Sequence, residues 1–424
     1  MVTRRDFLRS AMITPAAAGL AGSARPRPTL PPRLRPDETE DELYWSSLRW
    51  NFSFPEEEAY MQTSTLGASP EIVTEAVVSH LRYIERSLPK WDFSPDKPER
   101  FAGYRPETAL RTKLAAFLGC DMEEVGLTQN ATMGMNFVAN GIDLERGDEV
   151  VFTDQEHPGG RCGWDVKAKR LGIVVKEVKI PAPPNDPEEL VRRWLAATTP
   201  RTKVWAIPHV TSGLGLVHPA KRLCALARER GIFTVVDGAQ ALGHFAVNVR
   251  DLGCDAYFGS PHKWMLAPKG NGILYLRRDV QSRIWTTLAS GQWDNHEDGM
   301  FRLMQYGTLN QSLLRGLEVC LDFLDRIGMA RIERRIRFLG ERLRAGLREI
   351  PRVAIASSVH PDLACGMTTW RIEGMKAHAL QEALWDRARI RVRAIGDVGV
   401  RTSTHVYVSP AQIDRLLEIA RDLA

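Results

Sequence analysis

The sequence has no paired cysteines and no membrane-length apolar run. Its six cysteines (Cys120, Cys162, Cys224, Cys254, Cys320 and Cys365) are scattered, with no CxxC pair and no histidine at ligand spacing. That argues against a zinc site and a dense disulfide framework, so no metal is expected and most of the thiols are read as small buried apolar groups. No apolar stretch reaches the roughly 18 residues that a spanning helix needs, so stable membrane insertion is not expected. Net charge is scarce after the first 35 residues. Those 35 hold seven arginines (Arg4, Arg5, Arg9, Arg25, Arg27, Arg33 and Arg35) and one acid, Asp6, while the remainder balances 50 basic against 51 acidic residues. A basic front on a neutral body lacks the clustered basic surface that nucleic-acid binding requires. With 44% hydrophobic and 26% charged residues among 424, the body has the proportions of a globular protein of two or three domains.

The front end reads as an address. Thr3-Arg4-Arg5-Asp6-Phe7-Leu8-Arg9 is followed by a small, weakly apolar stretch from Ala11 to Ala24 and a Pro/Arg-rich spacer to Pro36. This is the pattern of a bacterial twin-arginine signal, which implies the twin-arginine export machinery as a partner and a periplasmic or secreted location. That route carries proteins that are already folded. Residues 1–35 are assigned to this signal and spacer, and residues 36–65 to an N-terminal arm.

From about residue 105 to 280, short apolar strands alternate with amphipathic helical stretches. The expected strands are Val125–Thr128, Glu149–Thr153, Ile173–Val178, Val204–Pro208, Phe233–Asp237, Ala256–Gly259 and Gly272–Leu276. Such alternation predicts an α/β fold, a mostly parallel, mixed central sheet with helices on both faces, assigned to residues 66–302. After about Leu303 two long helices, Gln311–Ile327 and Arg331–Glu349, lead into short strands at Met367–Ile372, Ile390–Val392 and Val406–Val408 and a closing helix Pro410–Leu423. Residues 303–424 are therefore expected to form a smaller α+β domain. Ligands in open α/β sheets sit at the carboxyl ends of strands.

Two strand ends there carry chemistry. Phe233-Thr234-Val235-Val236-Asp237-Gly238-Ala239-Gln240 ends an apolar run in an acid, and Ala256-Tyr257-Phe258-Gly259-Ser260-Pro261-His262-Lys263-Trp264 ends another in a Ser-x-His-Lys cluster. They lie about one strand–loop–strand unit apart, so both side chains can face one crevice. Pyridoxal phosphate needs such a pair, a lysine for a Schiff base and a carboxylate that keeps the ring nitrogen protonated. A lysine near its free pKa of ~10.4 is a poor nucleophile, so Lys263 requires a desolvated or cation-flanked setting.

The set Asp237-Gly238-Ala239-Gln240, Ser260-x-His262-Lys263-Trp264 and Pro268-Lys269-Gly270-x-Gly272 strongly resembles the class V aminotransferases of PLP fold type I, over roughly residues 60–424. The resemblance implies roles for individual positions. Lys263 forms the Schiff base and serves as the base at the substrate Cα, Asp237 pairs with the ring nitrogen, and Gln240 meets the ring oxygen. Ala131 and Thr132 start a phosphate-binding helix, completed by Ser260 and His262. His157, in Glu156-His157-Pro158, stacks on the ring, and Ser212 borders the cofactor. Thr308 reaches the phosphate of the second subunit of a homodimer. Arg401 forks onto a substrate carboxylate. On the residues alone, Asn130-Ala131-Thr132 is also an ordinary helix N-cap, His157 a turn residue, and Arg391 or Arg393 an alternative contact to a substrate side chain.

Within the family two departures matter. Cysteine desulfurases typically carry asparagine where Ser212 stands, and a persulfide-forming cysteine shortly before the carboxylate-binding arginine. No cysteine lies between Gly366 and Val400. The Thr153–Gly160 and Arg401–His405 segments resemble the isopenicillin-N-epimerase-like branch, and the leader adds a likeness to its periplasmic, siderophore-tailoring members. The expected activity is aminotransferase-type removal of an amino group from a small or peptide-linked amino-acid substrate. An epimerase or C–S/β-lyase is the alternative, and an inactive binding protein of the same fold the non-enzyme one.

Overall fold

The computed structural model describes residues 29–35, 41–91 and 105–424; the arginine pair and apolar stretch of the export signal lie outside them. In the N-terminal arm a helix, Glu42–Arg49, precedes a short strand β1 (Ala59–Tyr60). Seven strands then form the central sheet: β2 (Val125–Thr128), β3 (Glu149–Thr153), β4 (Val174–Val178), β5 (Thr202–Pro208), β6 (Phe233–Asp237), β7 (Ala256–Gly259) and β8 (Gly272–Leu276). Their order is β2-β8-β7-β6-β5-β3-β4. Only β8 runs against its neighbours; β3 to β7 pair in parallel. The sheet is thus mixed and mostly parallel, as the alternating pattern predicts.

The strands are apolar throughout because both faces of the sheet are covered. Side chains nevertheless alternate between two cores. Phe233 and Val235 of β6, with Ala256 and Phe258 of β7, join Met135, Phe137 and Trp164 on one face, whereas Val236 and Tyr257 pack into the other core with Leu223 and Trp264. This period of two also decides chemistry. Asp237 follows Phe233 and Val235 in register and belongs to the face covered by the helices Ala131–Gly141 and Pro158–Leu171.

The smaller unit holds β9 (Val353–Ile355), β10 (Met367–Ile372), β11 (Ile390–Arg391), β12 (Arg393–Ile395) and β13 (Gly399–Ser403). Four of them form an antiparallel sheet in the order β12-β13-β10-β9. The remaining strand, β11, pairs with β1, so the arm is stitched to the C-terminal unit rather than to the large sheet. The helix Gln311–Ile327 bridges the units, packing against the helices Glu71–Ser87 and Thr108–Leu118.

One expected strand is absent. Val406–Val408 has strong strand propensity but forms a buried turn, closed by Val408 N–H donating to the His405 carbonyl at 2.9 Å. Tyr407 there sits among Phe52, Phe54 and His405, so packing within an aromatic cluster overrides propensity. The strand lies just upstream, at β13. The helix Ala377–Ala388 also falls where the sequence reading had no element.

Candidate active site

Five strand ends of the large sheet, strand β13 and the arm supply the site. β7 stops at Gly259 and the chain turns sharply through Ser260 to Leu266, with Lys263 N–H donating to the Ser260 carbonyl at 3.2 Å and Leu266 held at a positive φ of 65°. Trp264 anchors this turn. It is fully buried, its indole N–H donates to Gln240 Oε1 at 2.8 Å, His244 stacks on it at 3.7 Å, and its carbonyl meets His405 Nε2 at 2.9 Å. From the other side the arm closes in. Gly67 N–H donates to the His262 carbonyl at 2.7 Å, and a Cβ on Gly67 would lie 1.8 Å from the Lys263 carbonyl oxygen. Only glycine fits there.

Lys263 therefore projects into a crevice shared with Asp237, Glu156, His157, Ser212 and Gln240. Burial pushes its amine down to about 8; Asp237 opposes the shift, while Arg401 and Arg393 add to it. This is the desolvated, cation-flanked setting that the chemistry demands. Asp237 accepts from Ala239 N–H at 2.8 Å. Burial raises its pKa, against the pull of that amide and of Lys263.

Glu156 is the functional residue that the sequence reading passed over. A Cβ on Gly160 would lie 2.8 Å from Glu156 Oε1 and 2.9 Å from Asp237 Oδ2, so the two carboxyls converge on the same glycine. Glu156 Oε2 is buried without a partner. Burial first, and Asp237 second, push the Glu156 pKa well up. Two such carboxyls in a dry site share a proton rather than both ionise. The available signal was an acid directly before the predicted ring-stacking histidine.

His157 lines the crevice and caps a helix at once. It is the N-cap of the helix Pro158–Leu171, where its Nδ1 accepts from Gly159 N–H at 3.0 Å. That bond fixes the ring at the crevice and leaves Nε2 to carry the proton of the neutral form. Burial, then Lys263, Arg393 and Arg401, lower its pKa and keep it neutral.

At the far end Ala131 and Thr132 occupy the first turn of the helix Ala131–Gly141, which Asn130 caps by accepting from Met133 N–H at 2.9 Å. Ala131 N–H donates to Ser260 Oγ at 3.1 Å, which ties the helix start to the lysine turn. A Cβ on Gly159 would meet Thr132 Oγ1 at 2.5 Å, so the two helix N-termini approach each other closely. His262 Nδ1 is buried and unpartnered nearby. Amides of a helix start, two hydroxyls and an imidazole make an anion cradle.

Gln240 spans Trp264 and the arm. Its Oε1 takes the indole N–H, and its Nε2 donates to the Ser64 carbonyl at 2.9 Å, leaving one N–H for a ring oxygen. Ser212 borders the crevice and offers its carbonyl to Arg401 Nη1. Arg401 is 3% exposed. It donates through Nη2 to Thr65 Oγ1 at 2.8 Å and keeps an unpartnered Nε. Thr308 does not join this group within one chain: it is exposed, on the segment after the helix Gly299–Met304. The arm residues Thr65 and Gly67 were not foreseen, because nothing in their local pattern marks them.

These residues fit pyridoxal phosphate: a cradle for its phosphate, a carboxyl pair for its ring nitrogen, an imidazole for its face and an amine for its aldehyde. Comparison with known proteins agrees. Residues 105–416 match the family described as aminotransferase class-V. The isopenicillin N epimerase of Amycolatopsis lactamdurans is 35% identical over 339 residues, covering 74% of this chain and 84% of that protein. That of Streptomyces clavuligerus is 33% identical over 327 residues, covering 73% and 82%. Among solved structures, the apo cysteine desulfurase of Thermococcus onnurineus NA1 superposes with a TM-score of 0.77 at 26% identity, covering 89% of this chain and 97% of that one.

Proposed function

Because the chain belongs to the class V aminotransferase family, whose cofactor is pyridoxal phosphate, the open question is the fate of the substrate, and we propose that an amino group is removed from an amino acid by a proton shift run by Lys263 alone. The bound cofactor supplies an electron sink for the substrate Cα. Lys263, pushed down to about 8, is poised to take the Cα proton near neutral pH and to return it elsewhere on the same face. Asp237 and Glu156, sharing a proton, hold positive charge at the ring nitrogen. His157, kept neutral, covers the opposite face without acting as a second acid. Arg401 orients the α-carboxylate through its fork.

One observation carries this reading: Lys263 is the single amine among the described residues lining the crevice. A single amine to carry the proton favours a shift on one face and so transfer of the amino group. Holoenzyme incubated with amino acids in deuterated water should release one keto acid per site, the amino group staying with the cofactor, and should turn over repeatedly only when a second keto acid is added to accept that group. Epimerisation is the second reading, supported by the 35% identity to an epimerase; it would give the mirror-image amino acid with deuterium at Cα and no keto acid. Absence of Cα exchange with every amino acid tried would sink both.

Sulfur transfer through a cysteine finds little support. Cys365 is buried, lies 3.2 Å from the Gly215 carbonyl, and has its thiol pushed up to about 11 by burial; no cysteine follows it.

Export by the twin-arginine route and assembly as a homodimer belong to the same proposal. An Arg4→Lys/Arg5→Lys chain should remain in the cytoplasm loaded with cofactor, and unchanged export would reject the signal. Mixing Lys263→Ala with Thr308→Ala chains would show by partial recovery that Thr308 serves a neighbouring subunit.

A further inference from the structure

Antiparallel pairing of β12 with β13 sets Arg393 directly opposite Arg401. Residues so paired share a face of the sheet, and like charges there repel. Among the described residues nothing neutralises them: neither arginine has a carboxylate partner, and both donate to one neutral oxygen, Thr65 Oγ1, at 3.2 Å from Arg393 and 2.8 Å from Arg401. The third arginine of the segment, Arg391, is otherwise occupied, lying 4.0 Å over the Trp385 ring.

The two guanidiniums differ in depth. Arg401 is buried, with two of its five donors engaged and Nε unpartnered in a dry setting. Burial, with Arg393 adding to it, lowers its pKa to about 9, the mark of a cation short of an anion. Arg393 is exposed, shares Thr65 with the inner arginine, and its charge is felt at Lys263 and at His157. A single α-carboxylate satisfies the inner guanidinium and leaves the outer one facing solvent beside it.

Building on the proposed action at an amino-acid Cα, we infer that the substrate carries two acid groups, an α-carboxylate bound by Arg401 and a side-chain carboxylate bound by Arg393 at the rim. Thr65, accepting from both, sets the distance between the two anion positions. Arg393 is then the residue that selects acidic over neutral substrates.

The test is a titration of the cofactor's visible band in intact holoenzyme with matched pairs: glutamate against glutamine, and 2-aminoadipate against norleucine. The wild type should bind the acidic member of each pair at least about tenfold more tightly, since a charge-assisted contact is at stake. Arg393→Ala should erase that preference, so that the two members of each pair bind alike, whereas Arg401→Ala should weaken both. Arg393→Glu should turn the preference toward ornithine or lysine. Because Arg393 is exposed, these variants are expected to fold. Equal weakening of both members by Arg393→Ala would mean that the two arginines fork a single carboxylate, and overturns the inference. So does a wild type with no preference, although amino acids then still perturb the band and the proposed function stands. If no amino acid perturbs the band, both fall together.

Discussion

Replacing Gly67 by alanine tests whether the N-terminal arm positions the lysine. The added Cβ would lie 1.8 Å from the Lys263 carbonyl oxygen, 2.9 Å from its carbon and 3.1 Å from Leu266 Cδ2. A carbon–oxygen contact tolerates about 3.3 Å, so the arm and the lysine turn must part by about 1.5 Å. The neighbour is backbone, held on its other side by Trp264 and His405, and cannot swing away as a flexible side chain would. Separation strains two bonds, Gly67 N–H to the His262 carbonyl at 2.7 Å and Lys269 Nζ to the Gly67 carbonyl at 2.9 Å. Overpacking together with these losses is expected to cost about 3 kcal/mol of stability. The functional loss is larger in proportion, since a misplacement of about 1 Å at a reacting group costs on the order of a hundredfold in rate. Turnover, borohydride-trapped cofactor and denaturant unfolding should be measured side by side. Gly213→Ala is the control; its Cβ would meet nothing within 4 Å, and it should behave as wild type. A Gly67→Ala enzyme with turnover within about threefold of wild type would refute the reasoning, whatever its stability.

Asp298→Ala should destabilise the protein by about 3–5 kcal/mol in denaturant unfolding, because it strands the fully buried Arg111, which now forks Asp298 at 2.6 and 2.7 Å. Arg111→Met with Asp298→Leu should lose much less. Cofactor uptake by apoprotein should rise with pH to a midpoint near 8, the value to which burial pushes Lys263; a midpoint above 10 would contradict the desolvated site. The same shift has a stability consequence. Between about 8 and the usual 10.5 the unfolded chain binds the extra proton, so the apoprotein should grow more stable as pH rises through that window, and Lys263→Met should abolish the rise. Asp237→Asn should lower turnover by about a thousandfold while the cofactor remains reducible by borohydride, and Glu156→Gln should fall between it and wild type.

The parts of the site legible beforehand were those written in adjacent residues. Asp237 and Lys263 close apolar runs that are strands by period and composition, and Asn130 announces a helix start by its short polar side chain. His157 and Glu156 stand together in the sequence, yet only the histidine was singled out, because the glutamate matters through Asp237, eighty-one positions away in the chain and near in space only because Gly160 lets the helix approach. Val406–Val408 misled for the converse reason: apolar β-formers read as a strand, but the aromatic cluster claimed them.

Local order follows from side-chain volume, branching and capping, which act over a few residues, and these alone determined the alternating strands and helices, the cofactor-binding crevice at their carboxyl ends, and the lysine–carboxylate pair that defines the chemistry. The fold decided what comes from afar. Gly67 meets Lys263, Thr65 joins Arg393 to Arg401, and Ser64 engages Gln240. Each of these contacts bridges well over a hundred residues, and no periodicity in the chain encodes it; packing of the arm between the two units does.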